Sequence, residues 1–183
     1  METRILLAIH HYAGPLLDAL FGLSHTLGSR DFLIALVLSA AGVHVLRGER
    51  REALAWIGVG VATVVAIELI KGLTARPRPE LWPRIVTQGG SSFPSGHAVA
   101  AAAFYPLLAW DLTRHRPRLL YAAFSLAAVL VLLVSVGRLY LGLHWPTDVL
   151  AGWAIGAAES MAAIAWLRRK EPGGIPSDER EHV

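Results

Sequence analysis

The sequence predicts an all-α protein, a polytopic bundle of transmembrane helices. Two observations carry that expectation. First, 54% of the 183 residues are hydrophobic and only 17% charged, with a mean hydropathy of +0.47; a soluble domain carries about a quarter charged residues. Second, the apolar residues fall in long blocks, so the bilayer is their natural solvent. The formal charge of +3 and the pI of about 9.7 are read as a trace of membrane topology, with no nucleic-acid partner implied. The absence of cysteine excludes disulfides, thiolate metal sites and a cysteine nucleophile.

Five blocks are expected to span: residues 31–47, 52–71, 97–112, 118–138 and 147–167. A span needs roughly 20 residues, with about 17 as a working minimum. The second, fourth and fifth blocks satisfy this outright. The first and third are short and are assigned as spans through their neighbours, because lipid does not tolerate an exposed irregular segment. Residues 4–27 are apolar enough for a sixth span, but His10, His11, Asp18 and His25 interrupt them and Gly14-Pro15 breaks the helix. A broken helical segment lying in the interface is the favoured expectation. No signal-peptide pattern is read at the start. Residues 1–170 are taken as one membrane-embedded domain and 171–183 as a polar, disordered cytoplasmic tail.

Following five spans in order puts three polar stretches on one side of the membrane: KGLTARPRP (71–79), PSGH (94–97) and GRLYLGLHWPTD (137–148). The opposite side receives Arg47, Arg50, Arg51, Arg114, Arg116, Arg118, Arg168, Arg169 and Lys170. The polar side carries Arg4, Arg30, Lys71, Arg76, Arg78, Arg84 and Arg138, three of them within motifs. The excess of cations places the former in the cytoplasm, so the polar stretches face outward, into the periplasm of a bacterial-type inner membrane.

Taken singly, each polar residue has an ordinary explanation. Lys71 would snorkel at a helix end, Ser95 would cap a helix, and Pro146 suits a first turn. Their convergence on one face is what points to chemistry. The helix start at Ser95-Gly96-His97 offers free N–H groups to an oxyanion, and glycine lets it approach the backbone. Arginine supplies paired donors to phosphate oxygens and lysine a point charge. His97 and His144 can divide the work of acid and nucleophile, and Asp148, four residues beyond His144, can hold an imidazole N–H.

The chain reads Lys71, six residues, Arg78-Pro79; then Pro94-Ser95-Gly96-His97; then Arg138, five residues, His144, three residues, Asp148. In this the sequence resembles the type 2 phosphatidic acid phosphatase superfamily of integral membrane lipid phosphatases, over roughly residues 31–167. It departs from the family pattern at Gly137, where a serine is usual. The resemblance implies that His144 attacks phosphorus to form a phosphohistidine, and that Asp148 orients it. His97 would protonate the leaving oxygen and later activate water. Lys71, Arg78, Ser95, Gly96 and Arg138 would bind the phosphate oxygens. It implies no metal and no cofactor, and a lipid phosphate or diphosphate as substrate: undecaprenyl diphosphate, phosphatidylglycerophosphate or phosphatidic acid.

Outside the motifs, Glu68 lies one helical turn before Lys71 and is expected to orient it. Glu159 falls mid-span and should face the bundle interior. His44 is expected to be a satisfied interior or interfacial histidine and not a ligand, and Trp82 and Trp145 to sit at the interface flanking lipid entry. Two other classes remain open at this point. A vanadium-type haloperoxidase has a similar anion pocket, and a transporter would use Lys71, Glu68 and Glu159 as an ion path. The sequence is silent on oligomeric state.

Overall fold

The computed structural model describes residues 1–83, 86 and 88–169. The tail assigned to 171–183 lies outside them. Seven α-helices follow in order: α1 (Glu2–His10), α2 (Pro15–Leu27), α3 (Arg30–Leu46), α4 (Arg50–Thr74), α5 (Gly96–Thr113), α6 (Leu120–Tyr140, entered through a 3-10 turn at Pro117–Leu119) and α7 (Pro146–Arg168).

The all-α class holds, but the expected count of five spans does not. Among the described residues three helices are long and apolar enough to cross a bilayer: α4, α6 with its entering turn, and α7; the pair α1 and α2 would make a fourth if taken as one span. These three are the blocks that met the length requirement outright. Helix α3 has only 17 residues and ends beside the polar His44. Helix α5 has His97 in its first turn, carries Asp111 near its end, and is wrapped by protein along its alanine run. A helix shielded by its neighbours need not be apolar enough for lipid, so composition undercounts it as a span. The N-terminal segment is broken as expected: α1 and α2 meet at 119° across Gly14-Pro15.

Helix α5 is the axis of the bundle. Ala98 to Ala103 are all buried, and small side chains let another backbone come close. Helix α7 does so through Gly152 and Gly156, one turn apart. A Cβ on Gly156 would lie 2.1 Å from the Val99 carbonyl oxygen, and one on Gly152 would lie 2.8 Å from the Ala98 Cβ. Only glycine permits that contact.

The end of the bundle opposite the motifs is tied by ions. His44 is buried between two carboxylates, with Nδ1 2.6 Å from Glu49 and Nε2 2.7 Å from Asp111. Arg114 pairs with Glu49 at 2.9 Å and also with Glu52, so α3, α4 and α5 share one network. His44 is therefore the satisfied interior histidine the sequence suggested. Glu159 receives a 2.5 Å hydrogen bond from the Thr63 hydroxyl, which joins α7 to α4 in mid-bundle.

Candidate active site

The three polar stretches come together at one end of the bundle. Lys71 sits in the last turn of α4, and Ala75, in the left-handed conformation (φ +44°), turns the chain so that Arg76 and Arg78 pass over the site. Ser95 precedes α5 in an extended conformation, and His97 lies in that helix's first turn. Arg138 is in the last turn of α6, His144 in the short link 141–145, and Asp148 in the first turn of α7. Backbone bonds stitch the stretches together. The Ser95 N–H donates to the Asp148 carbonyl at 3.0 Å, and the Ser92 N–H to the Arg76 carbonyl at 2.8 Å.

His144 is fully buried, and its two nitrogens have distinct partners. Nδ1 lies 2.7 Å from the Ser92 carbonyl oxygen and 3.5 Å from Asp148 Oδ2. A carbonyl only accepts, so Nδ1 carries the hydrogen, and the closer carbonyl is its main acceptor. Nε2 is left with its lone pair, which accepts from Arg78 at 3.1 Å. Burial pushes the His144 imidazolium down to about 4; the Asp148 carboxylate opposes the shift, while Arg78 and Arg138 reinforce it. The ring is therefore neutral at pH 7, with Nε2 available to attack. Since a free-enzyme pKa appears in kcat/KM, the acid limb contributed by His144 is expected near pH 4 and not near the ordinary 6.5. A kcat/KM–pH profile measured to pH 4 checks this; loss of a nucleophile already protonated at pH 6.5 would contradict it.

The two motif arginines have separate duties. Arg78 uses all its donors on the protein: Nε to the Gly90 carbonyl, one terminal nitrogen to the Leu143 carbonyl and His144, the other to the Gly89 and Ser91 carbonyls. It braces the loop before α5 and caps the His144 lone pair, and does not hold its donors open for phosphate. Arg138 is the reverse. It is completely buried, and none of its three nitrogens makes a hydrogen bond. The Ser95 hydroxyl and His97 Nε2 are buried and unpartnered as well. A buried guanidinium without a partner costs several kcal/mol, which an anion beside it offsets. These orphaned groups mark where an oxyanion would sit.

Gly96 needs another explanation than packing, since a Cβ there would meet only Ile67 at an ordinary 3.5 Å. The space it leaves belongs to a cavity of about 410 Å³ between α3, α4 and α5. Arg30, Glu68, Lys71, Gln88 and His97 line its polar mouth, and the rest is lined mainly by aliphatic residues, with Thr63 and Phe104 among them. Along α4 the lining runs from Lys71 to Ile57, a rise of about 21 Å at 1.5 Å per residue. That exceeds half of a hydrocarbon core about 30 Å thick. Glu68 shares this mouth, but no ion pair joins it to Lys71 among the described residues. Trp82 and Trp145 do not line the cavity. Trp82 stacks on His10 at 3.9 Å and covers Gly142, and the Trp145 indole donates to the Pro77 carbonyl.

Several residues at the site lie outside the motifs. Asp148 is held by Arg76 at 2.6 Å, by the Trp145 N–H at 2.8 Å and by the Ser92 hydroxyl. Arg76 is in turn paired with Glu2 at 2.8 Å, and Glu2 also binds Thr147. From α2 come Ser24 and His25, and Gly28 follows at its end. Ser24 explains the departure at Gly137: a Cβ on Gly137 would be 2.3 Å from the Ser24 hydroxyl, so the space for a side chain is already taken. The only sequence signal for α2 was the set of polar residues interrupting an apolar segment.

The PAP2 superfamily model matches residues 53–172. The chain belongs to the PAP2 superfamily. This PAP2 chain is 34% identical over 148 residues to phosphatidylglycerophosphatase B of Bacillus subtilis, covering 76% of the chain and 69% of that protein. It is 35% identical over 126 residues to the decaprenylphosphoryl-5-phosphoribose phosphatase of Mycobacterium tuberculosis, covering 67% of the chain and 65% of the relative. Among solved structures it resembles the transmembrane PAP2-type phosphatidylglycerolphosphate phosphatase of Bacillus subtilis, with a TM-score of 0.83 at 30% identity over 93% of this chain and 86% of the other.

Proposed function

We propose that this PAP2 membrane lipid phosphatase removes the terminal phosphate of a glycerophospholipid phosphate, with phosphatidylglycerophosphate the first substrate to test, through a phosphohistidine at His144. The observation that carries the reading is Arg138: a buried cation with no hydrogen-bonded partner among the described residues, close enough to His97 to act on its charge, with the Ser95 hydroxyl and His97 Nε2 also buried and unpartnered. Those groups supply charge and donors where a phosphoryl transition state gathers negative charge. The long apolar cavity starting at His97 suits one hydrocarbon chain of the same molecule.

In the first step His144 Nε2 forms a bond to phosphorus as the phosphorus–oxygen bond to the lipid breaks. His97 gives its proton to the departing oxygen. In the second step His97 takes a proton from water, the hydroxide attacks phosphorus, and the phosphorus–nitrogen bond breaks to release phosphate. Asp148 keeps His144 in place and lies close enough to favour the positive charge that ring acquires. Arg78 must swing or slide off Nε2 before attack, since it occupies the lone pair. As proposed, each step is carried by the chain's own side chains and water.

A panel of lipid phosphates and diphosphates, compared by kcat/KM in detergent with EDTA present, tests the assignment. Phosphatidylglycerophosphate is expected to lead; an isoprenoid diphosphate preferred by tenfold or more would reassign the substrate, and absence of phosphate release from every lipid would end the enzyme reading. The excess of arginine and lysine at the other end of the bundle supports an outward-facing site. In intact cells Gly89→Cys is then expected to react with an impermeant thiol reagent, and protection there with labelling only after lysis would reverse the orientation.

A further inference from the structure

Helix α2 brings a third imidazole to the site, one that no motif includes. The His25 ring stacks on His97 with centroids 5.1 Å apart and planes 20° from parallel. Its Nδ1 is buried and unpartnered, like His97 Nε2. The contact is built in. The Tyr105 hydroxyl of α5 donates to the Leu27 carbonyl at 2.8 Å, the Tyr140 hydroxyl of α6 donates to Asp18 at 2.6 Å, and Ser24 fills the gap at Gly137. Gly28 closes the arrangement, since a Cβ there would lie 2.7 Å from His97 Cδ2.

We propose that His25 is a positioning residue for the proton-transfer step, holding the His97 ring at its working tilt and setting the pH at which His97 gives up its proton. The inference rests on the phosphatase reading above. Besides the stack, the His25 backbone carbonyl contacts the His97 ring, and no side-chain hydrogen bond fixes its rotation among the described residues. A parallel aromatic face at stacking distance fixes it without occupying Nε2. The charged and titratable groups that face the pair are Arg138 from α6, His144 from the link before α7, and Lys71, Glu68 and Arg30 at the mouth of the shared cavity. With two imidazoles beside a buried guanidinium, a proton on either ring raises the cost of a proton on the other. Removing His25 therefore lets His97 keep its proton to higher pH.

The test compares His25→Ala, which removes the stack, with His25→Phe, which keeps the stack and removes the titratable nitrogens. His25→Ala is expected to lower kcat about tenfold with KM changed less than twofold. His25→Phe is expected to recover most of that kcat, and in it the alkaline limb of the kcat–pH profile should move up by half a unit or more. Orthovanadate affinity measured across the same pH range gives the same comparison without turnover. Unchanged kcat in His25→Ala, or an unmoved profile in His25→Phe, overturns the proposal. If His25→Ala fails to fold, the His25→Phe profile and its vanadate titration decide alone. Retained activity in His144→Ala would instead remove the phosphatase mechanism, so the two failures are separable.

Discussion

His144→Ala is expected to lower kcat by about 10⁴-fold or more, because in the proposed mechanism it removes the atom that bonds to phosphorus. The size follows from how completely the structure commits that ring. It is buried, its Nδ1 hydrogen is directed at the Ser92 carbonyl, and its Nε2 lone pair is covered by Arg78. No other side chain presents a neutral, oriented nitrogen in the same place, and water cannot replace the covalent step. KM should change little, since the lipid chain and the phosphate oxygens are bound by other residues. Rapid acid-free quenching with ³²P-labelled substrate should trap a phosphoenzyme in the wild type and none in His144→Ala. Turnover within tenfold of wild type in the variant would dispose of the covalent mechanism.

Arg138→Ala should produce opposite effects on activity and on stability. Its loss removes fixed positive charge from the developing phosphoryl transition state, for which a cost of about 10²- to 10³-fold in kcat is expected. Arg138→Lys should recover part of that, as a point charge without paired donors. The folded protein, by contrast, should not suffer. The wild-type guanidinium is buried with none of its nitrogens hydrogen-bonded, so the ligand-free variant is expected to melt at or above the wild-type Tm. Vanadate should raise the Tm of the wild type and leave that of Arg138→Ala nearly unchanged. A ligand-free variant that unfolds several degrees early would mean that Arg138 holds the fold together, and the anion-site assignment would fail with it.

Much of the site was legible because its chemistry is local to three short stretches. The Lys71–Arg78, Ser95–His97 and Arg138–Asp148 spacings fix which residues leave a helix end together, and the structure brings them to one end. What spacing could not show is how each donor is used. Arg78 and Arg138 read alike, yet one is saturated by backbone carbonyls and the other is bare. That difference arises from where the 88–91 loop closes, a tertiary matter. Asp148 was expected to act on His144 first, but Arg76, Ser92 and Trp145 are its nearer partners. The span count failed for a related reason. Hydropathy measures exposure to lipid, and α5 is covered by protein while α3 is short. The helical break at Gly14-Pro15 was legible, but what α2 brings to the site was not, because that depends on docking against α6.

The glycine seam between α5 and α7 bears on how such an enzyme can diversify. It joins the helix of His97 to the helix of Asp148 with no slack, so a larger residue at Gly152 or Gly156 would pry those two side chains apart. The opposite wall, built by Val37, Leu38, Val61 and Val64, is looser: the tightest glycine contact there, a Cβ on Gly60 at 3.3 Å from Val37, is to a side chain and not to backbone. New lipid preferences can therefore be acquired by resculpting α3 and α4 while the reacting groups stay bolted in place, which lets one catalytic chassis serve many tails.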